Sequence, residues 1–384
     1  MSAIYLDNNS TTPMLPEVAT AMAECYAAGY ANPASQHEAG RRARQRLEEA
    51  RDEIGRILGA DAAGRSPDRV IFTSGGTEAN NLLMLGIAGN ETVGEGIISA
   101  IEHPSVTGPA ELLEQRGWTI HRAAVDGNGV VLVDQVRKLL KKRTRFVSVM
   151  LANNETGVLQ PGKELAEIGR EAGVPVHTDA VQAVGKLAVN FRDLGVAAMT
   201  AAAHKFHGPL GIGVLVLRAE ISLTPQLVGG FQQAGLRPGT ESVALAVGME
   251  TAIKAFEREE TARIQRISAL RDRFEASLLA GYPPLVINGR DAKRLPNTSN
   301  VAFVGIDRQP LLMALDMVGI CCSTGSACAS GSSEPSPVLR AMGVPSDVIH
   351  SSLRFSLGVT TSETDVDAAV RQILDVVGRL RRDR

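Results

Sequence analysis

A chain of 384 residues with 44% hydrophobic, 21% charged and only 4% aromatic residues is too long for one ordinary core and too apolar for a disordered chain; two domains, or a large one with a smaller appendage, are predicted. Lys plus Arg (40) against Asp plus Glu (42) leave a net charge of −2, which excludes the basic footprint of a nucleic-acid or anionic-membrane binder and points to a small-molecule substrate or protein partners. No uncharged stretch approaches the ~20 residues that span a bilayer, no leader pattern opens the chain, and the four cysteines (Cys25, Cys321, Cys322, Cys328) make neither a disulfide framework nor a paired zinc motif, so a cytoplasmic protein without metal is expected.

Helical spacing of apolar residues predicts helices over Pro16–Tyr30 and Glu38–Leu58, the second with a densely charged solvent face. A short buried strand from Arg69 then passes through Gly75-Gly76 into a helix starting near Thr77-Glu78. The unit recurs. Strands starting at Gly96, Phe146 and Val174 deliver Glu102-His103-Pro104, Asn153-Asn154-Glu155 and Asp179 at their C-terminal ends. Strands alternating with helices predict an α/β fold, a mostly parallel sheet covered on both faces, with the ligand beyond the carboxyl ends of the strands. After a Pro- and Gly-containing break at Leu217–Gly230, a long helix from Glu241 to about Leu279 is read as a bridge to a smaller α+β domain with strands near Leu285–Ile287, Ser299–Phe303 and Ser352–Ser356. The Cys321-Cys322 pair and Cys25 are read as buried apolar positions.

Lys205 sits between two histidines, at the end of a small-residue strand and before a glycine-rich loop. A desolvated lysine there can form a Schiff base with an aldehyde cofactor; alone, the segment is equally a surface loop. Asp179, at its own strand end, can stabilise the protonated ring nitrogen of an electron sink such as pyridoxal phosphate, or simply cap a helix. Ser74-Gly75-Gly76-Thr77 offers backbone N–H groups and a hydroxyl to a phosphate at a helix N-terminus, and His103 can stack on a planar ring.

These residues bring the chain to a resemblance that covers nearly all of it. Tyr5-Leu-Asp-Asn-Asn-Ser-Thr-Thr-Pro, Thr73-Ser-Gly-Gly-Thr-Glu-Ala-Asn, Glu102-His-Pro, Asn153-Asn-Glu-Thr-Gly, His177-Thr-Asp-Ala-Val-Gln, His204-Lys, Ser323-Thr-Gly-Ser-Ala-Cys-Ala-Ser and Ser352-Leu-Arg-Phe-Ser-Leu-Gly resemble the cysteine desulfurases of the NifS/IscS kind, fold-type-I pyridoxal-phosphate enzymes related to class V aminotransferases. The resemblance implies Lys205 as the Schiff-base lysine, Asp179 as partner of the ring nitrogen, His103 stacked on the ring and accepting the substrate thiol's proton, and Gln182 at the ring hydroxyl. It implies a phosphate cup of Gly76, Thr77 and His204, completed by Thr240 from the second subunit of a homodimer. Asn154 and Arg354 would hold the substrate carboxylate. Cys328, in a mobile Gly-, Ser- and Ala-rich loop of the longer type, would take sulfur from L-cysteine as a persulfide, releasing L-alanine, and pass it to a scaffold or carrier protein for iron–sulfur cluster assembly or thiolation.

The implied division is a large cofactor-binding domain over 15–258 and a small domain of 1–14 with 259–384. The chain departs from the family pattern at Ala202, where a phosphate-binding Ser is usual, and in Gly229–Thr240, which puts the local loop shape and the intersubunit contact in question. A selenocysteine lyase, a class V aminotransferase or a non-catalytic cofactor-binding platform remain the alternative readings.

Overall fold

The computed structural model describes residues 3–61, 66–89, 93–325 and 334–382, so Cys328 lies outside the described residues. In chain order, β1 (Ile4–Tyr5) precedes two helices, α1 (Pro16–Ala27) and α2 (Glu38–Leu58). Alternation follows: β2 (Arg69–Thr73), α3 (Gly76–Ala88), β3 (Glu95–Ser99), α4 (Pro104–Gln115), β4 (Thr119–Ala123), α5 (Val133–Leu139), β5 (Thr144–Ser148), α6 (Gly162–Ala172), β6 (Val176–Asp179), α7 (Phe191–Leu194), β7 (Ala198–Ala202) and β8 (Gly213–Leu217). The 39-residue α8 (Val243–Gly281) leads to β9 (Leu285–Ile287), β10 (Thr298–Phe303), α9 (Arg308–Met317), β11 (Ile320–Cys321), α10 (Pro337–Ala341), α11 (Ser346–His350), β12 (Ser352–Ser356) and α12 (Glu363–Arg382).

Strands β2 to β8 form one seven-stranded sheet in the order β2-β8-β7-β6-β5-β3-β4. The expected mostly parallel sheet is there, with β8 running against its neighbours β7 and β2. The reversal has a local cause: only ten residues separate Ala202 from Gly213, too few for a crossover, and they turn back through Gly211 at φ 86°. Because β2 is in turn antiparallel to β8, it points the same way as β7, and its C-terminal end opens on the same side as those of β3, β5 and β6. Every residue of β7 (Ala-Met-Thr-Ala-Ala) and of β8 is buried, and the small side chains let α3 pack closely on them. Helix α1 stops at Ala27 instead of Tyr30, because Gly29 turns left-handed at φ 64°.

Two hydrophobic clusters divide the long helix. The first half of α8, with Val247, Met249 and Ile253, packs with α1, α2 and the inner face of the large sheet. The second half, with Ile267, Leu270, Phe274 and Leu278, packs with α12 and with the three-stranded antiparallel sheet β12-β10-β9, where Phe274, Phe303 and Phe355 form a tilted aromatic group. Leu6 belongs to the second cluster, so the start of the chain returns beside its C-terminal part. Among the described residues no helix is long and apolar enough to cross a membrane.

On this second half of α8, Glu275 receives a two-pronged ion pair from Arg294 (2.8 and 3.0 Å), with side chains only 7% and 6% exposed. Removing the carboxylate leaves a guanidinium buried without its partner, so Glu275→Ala is expected to lower stability by about 3 kcal/mol, read from the shift in urea unfolding.

Candidate active site

The strand ends converge. His103 follows β3, Asn154 follows β5, Asp179 ends β6, Lys205 follows β7, and Gly76 and Thr77 open α3 after β2. With Gln182, Ala202 and His204 they line one cavity of about 220 Å³. An adjoining cavity of about 470 Å³ shares His103, Asn154, Gln182 and Lys205 and adds Arg354, Asp7, Ser10 and Cys322. A larger groove, about 540 Å³, lies beside Val176 and Ala197 and contains none of these groups, so size does not mark the site. Of the residues singled out in the sequence, Thr240 is exposed and away from both cavities, and Cys328 lies outside the described residues.

Lys205 ends a single 3₁₀ turn, where the chain leaves β7 before the Gly208–Gly211 bend. Its Nζ donates to the carbonyls of Asn9 and Ser10, both at 2.7 Å. Burial, then the nearby Arg354 guanidinium, pull its pKa down to about 8 against the pull of Asp179 and Asp7, so a neutral, nucleophilic amine is accessible near physiological pH. Burial likewise lowers His204 to about 4.

Asp179 is held by two donors: the backbone N–H of Val181 on Oδ1 (3.0 Å) and Asn80 Nδ2 on Oδ2 (2.8 Å). The same Asn80 amide nitrogen donates to Ser105 Oγ at 2.8 Å, and Ser105 Oγ lies 2.8 Å from His103 Nδ1. His103 is also the N-cap of α4, its Nδ1 accepting the backbone N–H of Ser105 at 3.1 Å. Burial keeps its ring predominantly neutral, lowering its pKa against the opposing pull of Asp179.

At the N-terminus of α3, a Cβ on Gly76 would come within 2.8 Å of Val181 Cγ2, so only glycine brings this helix end against the cavity wall. Unpaired N–H groups of a first turn favour an anion, and Thr77 adds a hydroxyl. Ala202 presents a methyl group in the same wall. The loop whose departure from the family pattern put its shape in question is firmly tied. Arg237 pairs with Glu78 on the first turn of α3 (2.8 Å), and the Gln233 amide bonds both the N–H (2.6 Å) and the C=O (2.8 Å) of Phe72 on β2, in the manner of one more strand.

Arg354, on β12, is buried. It donates to Asp7 Oδ1 (2.7 Å), Ser10 Oγ (2.8 Å) and the carbonyl of Asn154 (3.0 Å), while its buried Nε has no hydrogen-bond partner among the described residues. The Cys321-Cys322 expectation is corrected in part: Cys321 and Cys322 are half-buried, and Cys322 packs against the second hydrophobic cluster yet also lines the cavity beside Arg354. Burial pushes its thiol pKa far up, which removes it as a nucleophile. Sequence reasoning missed Asp7, Asn9, Ser10, Asn80 and Ser105. For Asp7, Asn9, Ser10 and Asn80 the one signal is membership of the motif segments that open the chain and open α3; Ser105 follows the Glu102-His103-Pro104 motif and has none.

The class V aminotransferase model matches residues 4–369. A cysteine desulfurase, IscS, of Dictyoglomus turgidum is 40% identical over 98% of this chain and 95% of its own length, and the cysteine desulfurase NifS of Azotobacter vinelandii is 38% identical over 99% and 94%. Among solved structures, a NifS-like protein of Rickettsia africae superposes with a TM-score of 0.88 at 31% identity, covering 98% of this chain and 99% of that one. Family match, near-complete relatives and strand-end site agree: the chain belongs to the class V aminotransferase family and, within it, to the cysteine desulfurases.

Proposed function

We propose that this desulfurase holds pyridoxal phosphate in the 220 Å³ cavity through Lys205, and passes the sulfur of L-cysteine to Cys328 as a persulfide. The observation that carries the reading is the convergence of a depressed-pKa lysine, a doubly held carboxylate and a helix N-terminus on the walls of one cavity. When bound, the cofactor supplies an electron sink for the substrate's α-carbon. The remaining work belongs to this chain. Lys205 would hold the cofactor's aldehyde and, with its amine free, would serve as the base for the substrate's α-proton. Asp179 would partner the ring nitrogen and stabilise its protonated form. Gln182, whose Oε1 accepts from Lys186 (2.6 Å) and whose Nε2 donates to the Asn9 carbonyl (3.0 Å), keeps its second Nε2 proton for the ring hydroxyl.

Gly76, Thr77 and His204 would hold the phosphate without the serine that Ala202 replaces, and His103 would stack on the ring. Arg354 and Asn154 orient the substrate carboxylate, and the Asp7 carboxylate offsets the charge of Arg354 until substrate arrives. Cys328 thiolate attacks the substrate sulfur, the substrate's C–S bond breaks, and a proton takes sulfur's place on carbon. L-cysteine and an enzyme thiol thus become L-alanine and an enzyme persulfide with no outside oxidant or reductant. A related solved structure, "SspA in complex with cysteine", 30% identical with a TM-score of 0.80 over 92% of this chain, supports the choice of amino acid.

The reading extends to a cytoplasmic homodimer divided into domains 15–258 and 1–14 with 259–384. Thr240 reaches the partner's phosphate, and the persulfide goes to a scaffold or carrier protein for iron–sulfur cluster assembly or thiolation. Support for the dimer comes from the loop before Thr240, where Val228 and Phe231 are 99% and 94% exposed, apolar side chains that a second subunit would cover.

Two outcomes test this reading. Cys328→Ser is expected to bind cofactor and L-cysteine normally, seen in the absorbance of the bound cofactor, while alanine and sulfide release fall more than about a hundredfold; undiminished release would return the chain to the lyase or aminotransferase reading. Capture of the aldehyde by the apoprotein needs neutral Lys205. Its rate is therefore expected to rise with pH through about 8 and level above it, where an ordinary lysine would keep rising toward ~10.4, and Lys205→Ala is expected to abolish the covalent cofactor absorbance.

A further inference from the structure

We propose that Asn80 and Ser105 lock His103 in the tautomer that carries its proton on Nε2, so that the ring offers the cavity a hydrogen-bond donor and not a base. The argument is one of donors and acceptors. The backbone N–H of Ser105 can only donate, and it is directed at His103 Nδ1 at 3.1 Å, which requires a lone pair on that nitrogen. Ser105 Oγ already accepts from Asn80 Nδ2 at 2.8 Å, so its own proton is free to go to Nδ1, 2.8 Å away. Asn80 cannot turn its amide over, because its other Nδ2 proton is taken by the Asp179 carboxylate at 2.8 Å, and a flipped carbonyl oxygen would face that carboxylate.

Asn80 and Ser105 are both buried, so no water competes for these contacts, and the Asn80 Oδ1 is left without a partner, a cost that the fixed orientation accepts. With two donors on Nδ1, the neutral ring carries its proton on Nε2, for which no protein partner exists among the described residues, and His103 lines the cavity.

The inference rests on the reading that His103 faces the cofactor, and it changes the role that the family resemblance implies for it. A thiol proton cannot be taken by a nitrogen that already holds one, and taking it at Nδ1 would break two hydrogen bonds. Nε2–H instead favours an ionised substrate sulfur, which it can stabilise by donating to it. The charged groups that act on the ring are Asp179 and Lys205, of opposite sign, with opposing effects on its protonation. Asn80 and Ser105 are positioning residues: they act through His103.

The test uses the holoenzyme labelled with ¹⁵N-histidine, the His103 ring signals being assigned by their loss in His103→Gln. The expected wild-type spectrum at pH 8 shows Nε2 protonated and Nδ1 not. Asn80→Ala and Ser105→Ala are expected to admit the Nδ1–H form and to lower kcat/KM for L-cysteine by roughly three- to tenfold, the loss of about one hydrogen bond. A wild-type ring protonated on Nδ1, or two folded variants with the wild-type tautomer, would overturn the proposal. Should either variant fail to fold, the wild-type spectrum decides alone. Alanine release by the wild type is scored separately, so a wrong tautomer and a wrong active site give different results.

Discussion

The site depends on one short turn near the start of the chain, closed by the Ser10 N–H on the Asp7 carbonyl at 3.0 Å. Asp7 to Ser10 lie between the large sheet and the small one, and three buried or half-buried basic side chains converge on them. Lys205 donates to the carbonyls of Asn9 and Ser10, Arg354 to the Asp7 carboxylate and the Ser10 hydroxyl, and Lys186 to Asn9 Oδ1 at 3.0 Å. The stretch is itself fixed from the small sheet: Asn9 N–H donates to Ser356 Oγ on β12, and Asn9 Nδ2 to Thr298 Oγ1 on β10. A buried ammonium must be hydrogen-bonded to persist, and here oxygen acceptors of a single segment serve both the lysine that follows the large sheet and the arginine on the small one. The spacing of Lys205 and Arg354 is thereby set by four consecutive residues and not by the relative placement of the two sheets alone.

The large sheet supplies the other half of that geometry. Its parallel strands open on one side, and the candidate side chains stand at the end of a buried strand or a few residues beyond it: His103, Asn154, Asp179, Lys205. Small residues matter as much as the polar ones. Gly213 on β8 is a case: a Cβ there would come within 2.8 Å of the backbone of Gly75 and of the Ala201 carbonyl, so the turn that feeds α3 can cross β8 only over a glycine. The N-terminal end of α3 sits where it does because nothing bulky stands beneath it.

This explains what was legible in the sequence. Alternation of buried strands and helices announces an α/β sheet, and in such a sheet the residues at strand ends are the ones to watch, so Lys205, Asp179, His103 and Thr77, which line one cavity, could be singled out as candidates. Asn80 and Ser105 could not. They are 25 residues apart, Asn80 meets Asp179 across 99 residues, and an asparagine in a helix or a serine in a first turn is ordinary. Asp7 and Ser10 were equally silent, since their partner Arg354 is almost a whole chain length away. Cys322 was read by its apolar neighbours, which describe one side of it; the cavity on the other side comes from the close of the fold. Local pattern reveals which residue types stand at a strand end, whereas the network that orients them is written in tertiary contacts.

The charge balance of the site follows from burial. Buried Glu102, next to His103, has its pKa raised to about 8 by desolvation, with one carboxyl oxygen lacking a partner, so near neutral pH it is mostly the neutral acid. Desolvation in turn keeps His103, His204 and His177 neutral, the last at about 3 between the Ser148 and Thr200 hydroxyls. Around the cavity Arg354 stands against Asp7, and Lys205 against the Asp179 carboxylate. Four opposed charges suit a zwitterionic amino acid: its carboxylate can share Arg354, and its amine meets a lysine that gives up a proton readily. Substrate can therefore enter without burying an uncompensated charge, and the field it meets is set by groups already held in place before it arrives.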